Sequence, residues 1–281
     1  MNVSVRRIQQ IIKEYHFSRV MPTLTKSRRP KTEITDEQKH AIDKAFAETK
    51  LSPRLLYYEL KQRKTPVAKN KIYIYLKDKG FVQTNPKLQK QRKRCRYERI
   101  HSGSLIHGDS HRTSFKHPYC LVWLDDASRK ALFGIESKQA ITNKASIKSF
   151  KQAMKIAKES NVFIFQVNTD KGTEFFSNKK KKKTSIKSKS EFELFLIKER
   201  IQHLPSRIKN PQTNGKLERF WREYDKHRWR FKSLNQFLDW YNNRLHGALR
   251  LDWAETPNQA FIRKRRPESI LGLFWERIEN G

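Results

Sequence analysis

Apolar positions recur at helical spacing near both ends of the chain, with strand-length apolar blocks between them. Val5, Ile8, Ile12 and Tyr15 predict a helix within residues 3–17. Residues 18–34 hold Pro22, Pro30 and the basic cluster Lys26, Arg28 and Arg29, the texture of a linker or arm. Three short helices are predicted next. Thr35 with Gln38 makes a capping-box start, and Ile42, Ala45 and Phe46 form an apolar stripe. Ser52-Pro53 opens the second, with Leu56 and Leu60 facing inward. Ile72, Tyr75 and Leu76 share one side of the third, which Gly80 stops. Two helices, a turn and a third helix, over residues 35–83, predict a helix-turn-helix unit.

From about residue 104 the pattern changes. "SLIHGD", "PYCLVWLDD" and "KALFGIES" predict three strands. Ile147, Phe150, Met154 and Ala157 predict a helix over 141–158, and "VFIFQVN" a strand over 162–168. A helix over 191–199, a short strand "IQHL" and a long helix over 211–231 complete the series. Strands first, then alternating helix and strand, predict an α/β fold with a mixed sheet. No internal repeat is evident.

Charge narrows the function. Lys plus Arg number 62 against 28 Asp plus Glu, a formal net charge of +34 in 281 residues. Such an excess repels itself unless a polyanion neutralises it, and nucleic acid is the first candidate. An anionic membrane surface is the second, but no apolar run approaches a membrane span and no signal-peptide pattern opens the chain. The third predicted helix presents Lys69, Asn70, Lys71 and Tyr73 near its start, residue types that meet phosphates and base edges. Residues 84–103 form a basic connector carrying Lys87, Lys90, Arg92, Lys93, Arg94 and Arg96. Two cysteines, Cys95 and Cys120, exclude a disulfide scaffold and a four-cysteine zinc site.

The strand at 162–168 ends on an acid, Asp170. Alone, an Asp before a Gly two residues on is a turn former. Two other acids are placed to join it. Asp109 ends the first strand in "IHGDSH", and Glu218 lies in "NPQTNGKLERFW" on the last long helix. On that helix Leu217, Phe220, Trp221 and Tyr224 form the buried stripe, with Asn214, Glu218 and Arg222 in a polar stripe beside it.

"TDKGTEF" and "PQTNGKLERF" resemble the second and third motifs of DDE transposases with a retroviral-integrase-like core. "IHGD" with "LVWLDDASR" resembles the first motif and its following strand. "WYNNRLHGALRLDWAETP" resembles the segment after the core in prokaryotic insertion-sequence transposases. The resemblance covers roughly residues 104–260. It implies an RNase H-like fold with Asp109, Asp170 and Glu218 as catalytic metal ligands. It also implies two Mg²⁺ or Mn²⁺ ions, duplex DNA (transposon ends and target) as substrate, and a homo-oligomer working on that DNA in the cytoplasm, associated with the nucleoid. Such a pair of ions activates an oxygen nucleophile and stabilises the charged phosphate. Lys171, Lys216, Arg219 and Arg222 are the DNA contacts expected around those acids.

Other assignments compete. Asp126 is the rival to Asp109 and is expected to be structural, in the turn "DDASR". His107, Asp109 and His111 alternate, as a histidine metal site needs; a turn or solvent is the alternative. Glu174 is a candidate fourth acid, and His246 is expected to pack or cap. The pattern departs from the family in three places. Lys171 stands where asparagine is usual. Asp170 and Glu218 are 48 positions apart, lengthened by the Lys-rich loop 179–190. The helix at 1–17 resembles the last part of a second helix-turn-helix whose beginning is missing. The expected organisation is therefore a partial helix-turn-helix (1–17), linker (18–34), DNA-binding domain (35–83), connector (84–103), catalytic core (104–232) and helical tail (233–281). The expected function is strand cleavage at transposon ends and strand transfer. The alternatives are a non-enzymatic DNA binder derived from a truncated transposase, and a nuclease acting on RNA–DNA hybrids.

Overall fold

The structure is a computed structural model that describes residues 4–20, 33–82, 98–176, 189–206 and 215–270. The Lys-rich loop 179–190, the connector 84–103 and the linker 18–34 lie largely outside the described residues, as do Asn214 and Cys95. The chain divides into two compact units, Met1–Asp36 and Glu37–Gly281.

In the first unit, helix α1 (Val5–Ser18) ends where Arg19 turns left-handed and its N–H reaches the Tyr15 carbonyl. Its stripe of Val5, Ile8, Ile12 and Tyr15 is exposed, and no residue of α1 is buried.

The second unit begins with helices α2 (Asp36–Thr49), α3 (Pro53–Gln62) and α4 (Lys69–Asp78). Pro53 takes the first position of α3 as predicted, although the Ser52 side chain makes no cap bond. Gly80, at φ +76°, ends the α4 segment, where the Phe81 N–H returns to the Leu76 carbonyl. Ile42, Ala45, Leu56, Leu60, Ile72 and Leu76 form the core of the three helices, and Leu245 and Ala254 complete it. The Trp240 indole donates to the Glu48 carbonyl (2.9 Å) and Arg244 to that of Thr49 (3.2 Å).

Five strands form one sheet: β1 (Ile106–Arg112), β2 (Tyr119–Asp125), β3 (Ala131–Ser137), β4 (Gln166–Thr169) and β5 (Gln202–Pro205). Their order is β3-β2-β1-β4-β5. β1, β2 and β3 pair antiparallel, while β4 lies parallel to β1 and β5 parallel to β4. This mixed five-stranded α/β sheet is RNase H-like, as expected.

Period-two alternation in β2 sends successive side chains to opposite faces. Leu121 and Trp123 join Phe150, Ala153, Phe175, Phe192 and Leu196 on the face covered by α5 (Asn143–Glu159) and α6 (Glu191–Lys198). Cys120, Val122 and Leu124 meet Leu217, Phe220, Tyr224, Phe237 and Tyr241 on the other, covered by α7 (Gly215–His227) and α8 (Leu234–Asn243). The tail thus belongs partly to the core. Asn242 of α8 brackets Ala131, accepting from its N–H and donating to its carbonyl. A short helix α9 (Pro257–Arg263) follows, capped by Thr256 and Gln259.

The strand predicted over 162–168 is shorter. Phe163 and Phe165 are exposed, and the ladder starts at Gln166, after the chain has crossed from the left-handed turn at Asn161 that ends α5. The long helix stops at His227 and continues as a single 3₁₀ turn, Arg228–Arg230. Among the described residues, no helix is long and apolar enough to cross a membrane.

Candidate active site

β1 is the central strand, and its register with β4 brings two acids together. Gly108 pairs with Thr169, so the next step along two parallel strands sets Asp109 beside Asp170. Gly108 is required here. A Cβ would lie 2.0 Å from the Trp123 ring, which itself packs against Phe150, Phe175 and Phe192.

Asp170 follows the last residue of β4, and its Oδ1 accepts from the Gly172 N–H (3.0 Å), the bond of an Asx turn. The turn is anchored by buried Phe175, whose N–H reaches the Gly172 carbonyl. Between them Glu174 folds back to accept from the Ser110 hydroxyl. Asp109 accepts a hydrogen bond from the Trp221 indole (2.9 Å), and that indole is stacked on His111 with centroids 4.8 Å apart.

Burial raises the Asp109 carboxyl to about 7, and the charges of Asp170 and Glu174 push the same way against the Trp221 hydrogen bond. Neither Asp109, Asp170 nor Glu174 forms an ion pair with a described residue. Asp109 therefore feels two neighbouring acids, and among the described residues none of the three is ion-paired to a cation.

Glu218 lies exposed in the first turn of α7, where an acid suits the helix dipole. It precedes Trp221 by three positions, which makes the two neighbours on the helix surface. Its carboxylate has no hydrogen bond or ion pair to a described residue. Among the described residues, no three His, Cys, Asp or Glu groups are arranged to hold a metal ion.

Asp126 is fully buried and follows Asp125, which pairs with Ile106, whereas Asp109 pairs with Val122 earlier along β2. The Asp126 carboxylate meets His107 Nε2 (2.7 Å), the Arg99 N–H (2.7 Å) and the Lys216 ammonium. Burial pushes its pKa up, but His107 and Lys216 outweigh that and hold it well below the usual carboxylate range. Asp125 serves the turn, accepting from the Ser128 N–H (2.8 Å) and hydroxyl (2.6 Å). His107, Asp109 and His111 do alternate on β1, but each takes a different partner. His107 joins Asp126 and Asn168, Asp109 joins Trp221, and His111 joins Asp225 (3.0 Å). His246 is buried and accepts from the Ala248 N–H (3.2 Å).

Of the basic candidates, Lys171, Arg219 and Arg222 are exposed, and the Arg219 guanidinium lies toward Gly247. Lys216 differs: its side chain is 11% exposed, it points inward to Asp126, and burial lowers its pKa to about 8. On α4, Lys69, Asn70 and Tyr73 are exposed and Lys71 is half-buried. The Lys69 ammonium sits over the rings of Tyr57 (4.7 Å) and Tyr58 (5.2 Å).

Sequence reasoning treated Trp221 only as part of a buried stripe, and missed its bond to Asp109. It gave no role to Ser110 or Asn168. Only the amphipathic edge position of Trp221, next to a polar stripe, carried a signal.

No protein-family model matches the chain. Over 112 residues it is 35% identical to the protein named "Putative integrase ORF3" of Spiroplasma virus SpV1-C74, a match covering 38% of this chain. The chain spans 30% of the length of that relative. Among solved structures, a chain of the simian T-cell lymphotropic virus intasome in complex with PP2A regulatory subunit B56 gamma is 16% identical, with a TM-score of 0.42; the similarity covers 78% of this chain and 74% of that one. The HTLV-2 integrase catalytic core domain in complex with magnesium is 19% identical, with a TM-score of 0.40, covering 57% and 97%. Both scores lie under 0.5, so the fold rests on the strand order and register given above.

Proposed function

We propose that this protein is a DDE-type transposase of the insertion-sequence kind, cleaving DNA at transposon ends and joining the freed ends to target DNA. The observation that carries this reading is the register of β1 on β4: it ends at Gly108 and Thr169, and so sets Asp109, midway along β1, next to Asp170, just past the end of β4. Their mutual repulsion, with Glu174, is relieved by no described cation. A net charge of +34 and the 35% identity to a viral protein named as an integrase support the same reading.

The residues fit a hard divalent ion. Magnesium prefers oxygen ligands, keeps several waters, and needs only one or two carboxylates besides substrate phosphate. Asp109 and Asp170 would hold it, and Glu218 would complete the set from α7. Bound Mg²⁺ or Mn²⁺, two ions in this reading, supplies the Lewis acidity that phosphodiester cleavage needs.

The chain's own groups prepare the site. Trp221 fixes one oxygen of Asp109, and the turn at Gly172 fixes one of Asp170. Lys171, Arg219 and Arg222 bind the phosphates on either side of the scissile bond, without reading sequence. α4 reads the ends through Asn70 and Tyr73, with Lys69 and Lys71 on phosphate. The domain limits 35–83, 104–232 and 233–281, a homo-oligomer on DNA, and a nucleoid-associated cytoplasmic location belong to the same reading.

A second reading, DNA binding without catalysis, is favoured by one observation. No three described groups are arranged to hold an ion. The two are separated by incubating the protein and Mg²⁺ or Mn²⁺ with labelled duplexes taken from the DNA flanking the gene, plus a plasmid target. Labelled plasmid from the wild type and none from Asp170→Asn supports the transposase. Binding with no cleaved or joined product in either metal overturns it.

A further inference from the structure

The three acids of the proposed site stand on three separate elements, and one buried polar network ties those elements together. Two residues before Asp109 on β1 is His107. Two residues before Asp170 is Asn168 on β4, and two before Glu218 is Lys216 on α7. His107 reaches Asn168 (3.2 Å) through Nδ1 and Asp126 (2.7 Å) through Nε2. Asp126 in turn takes the Lys216 ammonium. Asn168 is held further by donating to the Leu204 carbonyl (2.6 Å) and accepting from the Ser206 hydroxyl (3.2 Å). His107 and Asp126 are fully buried, and Asn168 nearly so.

Beyond Lys216 the contact between α7 and the sheet is mainly apolar, Leu217, Phe220 and Tyr224 on Cys120, Val122 and Leu124, with polar bonds only further along the helix, from Trp221 to Asp109, Tyr224 to Glu136 and His111 to Asp225. Apolar burial is non-directional and does not by itself fix how far a helix slides or turns. One residue of slide moves a helix by about 1.5 Å, whereas a working site needs its groups placed to roughly 0.5 Å. A buried, hydrogen-bonded ion pair is directional and is strongly penalised when broken. Positions two apart on a helix differ by about 200°, so Lys216 and Glu218 flank the buried face from opposite sides. Pinning Lys216 therefore pins the direction of Glu218. On β1 the same offset sets His107 and Asp109 on one face.

We propose that His107, Asn168, Asp126 and Lys216 form a positioning network that fixes α7 in slide and rotation against β1 and β4, and so sets the spacing of Asp109, Asp170 and Glu218. Lys216 is its tie to α7. The proposal rests on the reading of those acids as the metal-holding set.

The test is Lys216→Met, which keeps the length and apolar stem of the side chain but removes the tie. Two quantities are measured: Mn²⁺ affinity by calorimetry without DNA, and Mn²⁺-dependent nicking of supercoiled plasmid at saturating DNA. Partners standing behind metal ligands are worth about 10–100-fold in metal affinity or activity, so losses of about tenfold in both are expected, with plasmid affinity kept. Wild-type values for both overturn the proposal. So does a loss of plasmid affinity and nicking in equal proportion with Mn²⁺ affinity unchanged, which would make Lys216 a DNA contact. If Lys216→Met does not fold, the shorter Lys216→Gln carries the same two measurements. Asp170→Asn is run beside them. Wild-type nicking by Asp170→Asn strikes the underlying reading of the acids, a failure distinct from that of the network.

Discussion

The indole of Trp221 donates to Oδ2 of Asp109 at 2.9 Å, so a helix and the central strand are joined at the acid itself. The bond lowers the Asp109 pKa while burial and the neighbouring acids raise it, and the balance leaves it at about 7. In the metal-free protein this carboxyl holds its proton well above the ordinary Asp range.

Proton and metal therefore compete. Below about pH 7 a divalent ion must displace the proton of Asp109; above it the carboxylate is free. Mg²⁺ should raise Tm more at pH 8 than at pH 6. With Mg²⁺ at about ten times its Kd the rise at pH 8 is roughly 3–5 °C. Asp109→Asn should abolish the metal-induced rise at both pH values. Thermal melts with Mg²⁺ and with EDTA give the comparison, and a rise that ignores pH or survives in Asp109→Asn would refute the competition.

A second pH effect belongs to His227, away from the acids. Burial lowers its pKa from 6.5 to about 4, with Arg244, Lys226 and Arg230 adding to the effect and Glu223 opposing it. The folded value lies below the unfolded one, so this stability is complete above about pH 6.5 and is lost as pH falls towards 4. His227→Phe should flatten the loss between pH 7.5 and 5 by about 1–2 kcal/mol, from 1.36 kcal/mol per pKa unit. Urea unfolding at the two pH values measures it; equal slopes for mutant and wild type would show that His227 is not the group responsible.

Much of this was legible because it is local. The buried stripe Leu217, Phe220, Trp221 and Tyr224, the acid after the strand at 166–169 and the turn at Asp125–Ser128 are all written within a few residues. What could not be read is made across distance. The neighbouring positions of Asp109 and Asp170 depend on a parallel pairing of segments some 60 residues apart. The inward turn of Lys216 depends on Asp126, 90 positions away. A lysine within two turns of two exposed arginines, Arg219 and Arg222, gives no sign of that in sequence. Helix α8 looked like a tail because an amphipathic pattern says that a face is buried, not against what. The sheet received it through Phe237, Tyr241 and Asn242.

Gly108 permits the central strand to carry its acid beside the Trp123 ring. Gly108→Ala adds a methyl 2.0 Å from an aromatic carbon in a fully buried cluster. Overpacking of this kind costs about 1–3 kcal/mol, and more where the neighbour cannot move. Chemical denaturation should show a loss of at least that size. A change within about 0.5 kcal/mol, typical of surface sites, would mean that the strand shifts freely.

On α4, exposed Asn70 and Tyr73 are the base readers of the proposed function. The double replacement Asn70→Ala, Tyr73→Ala should weaken binding to the flanking DNA by about 1–3 kcal/mol and leave binding to random duplex nearly unchanged. Competition titrations against both DNAs at fixed salt decide it. An equal loss on both would reduce α4 to a phosphate contact.

The central claim is that Asp109, Asp170 and Glu218 together carry metal-dependent strand cleavage. Asp170 and Glu174 are the acids that act on Asp109 electrostatically in the structure, whereas Glu218 stands exposed one helical turn before Trp221. The most direct measurement is therefore Mn²⁺-dependent cleavage of flanking-end duplex by wild type, Asp170→Asn, Glu218→Gln and Glu174→Gln, with DNA binding recorded for each. Asp170→Asn and Glu218→Gln are expected to bind DNA without cleaving it, while Glu174→Gln still cleaves. Cleavage by Glu218→Gln at the wild-type rate, with Glu174→Gln inactive, would contradict the claim.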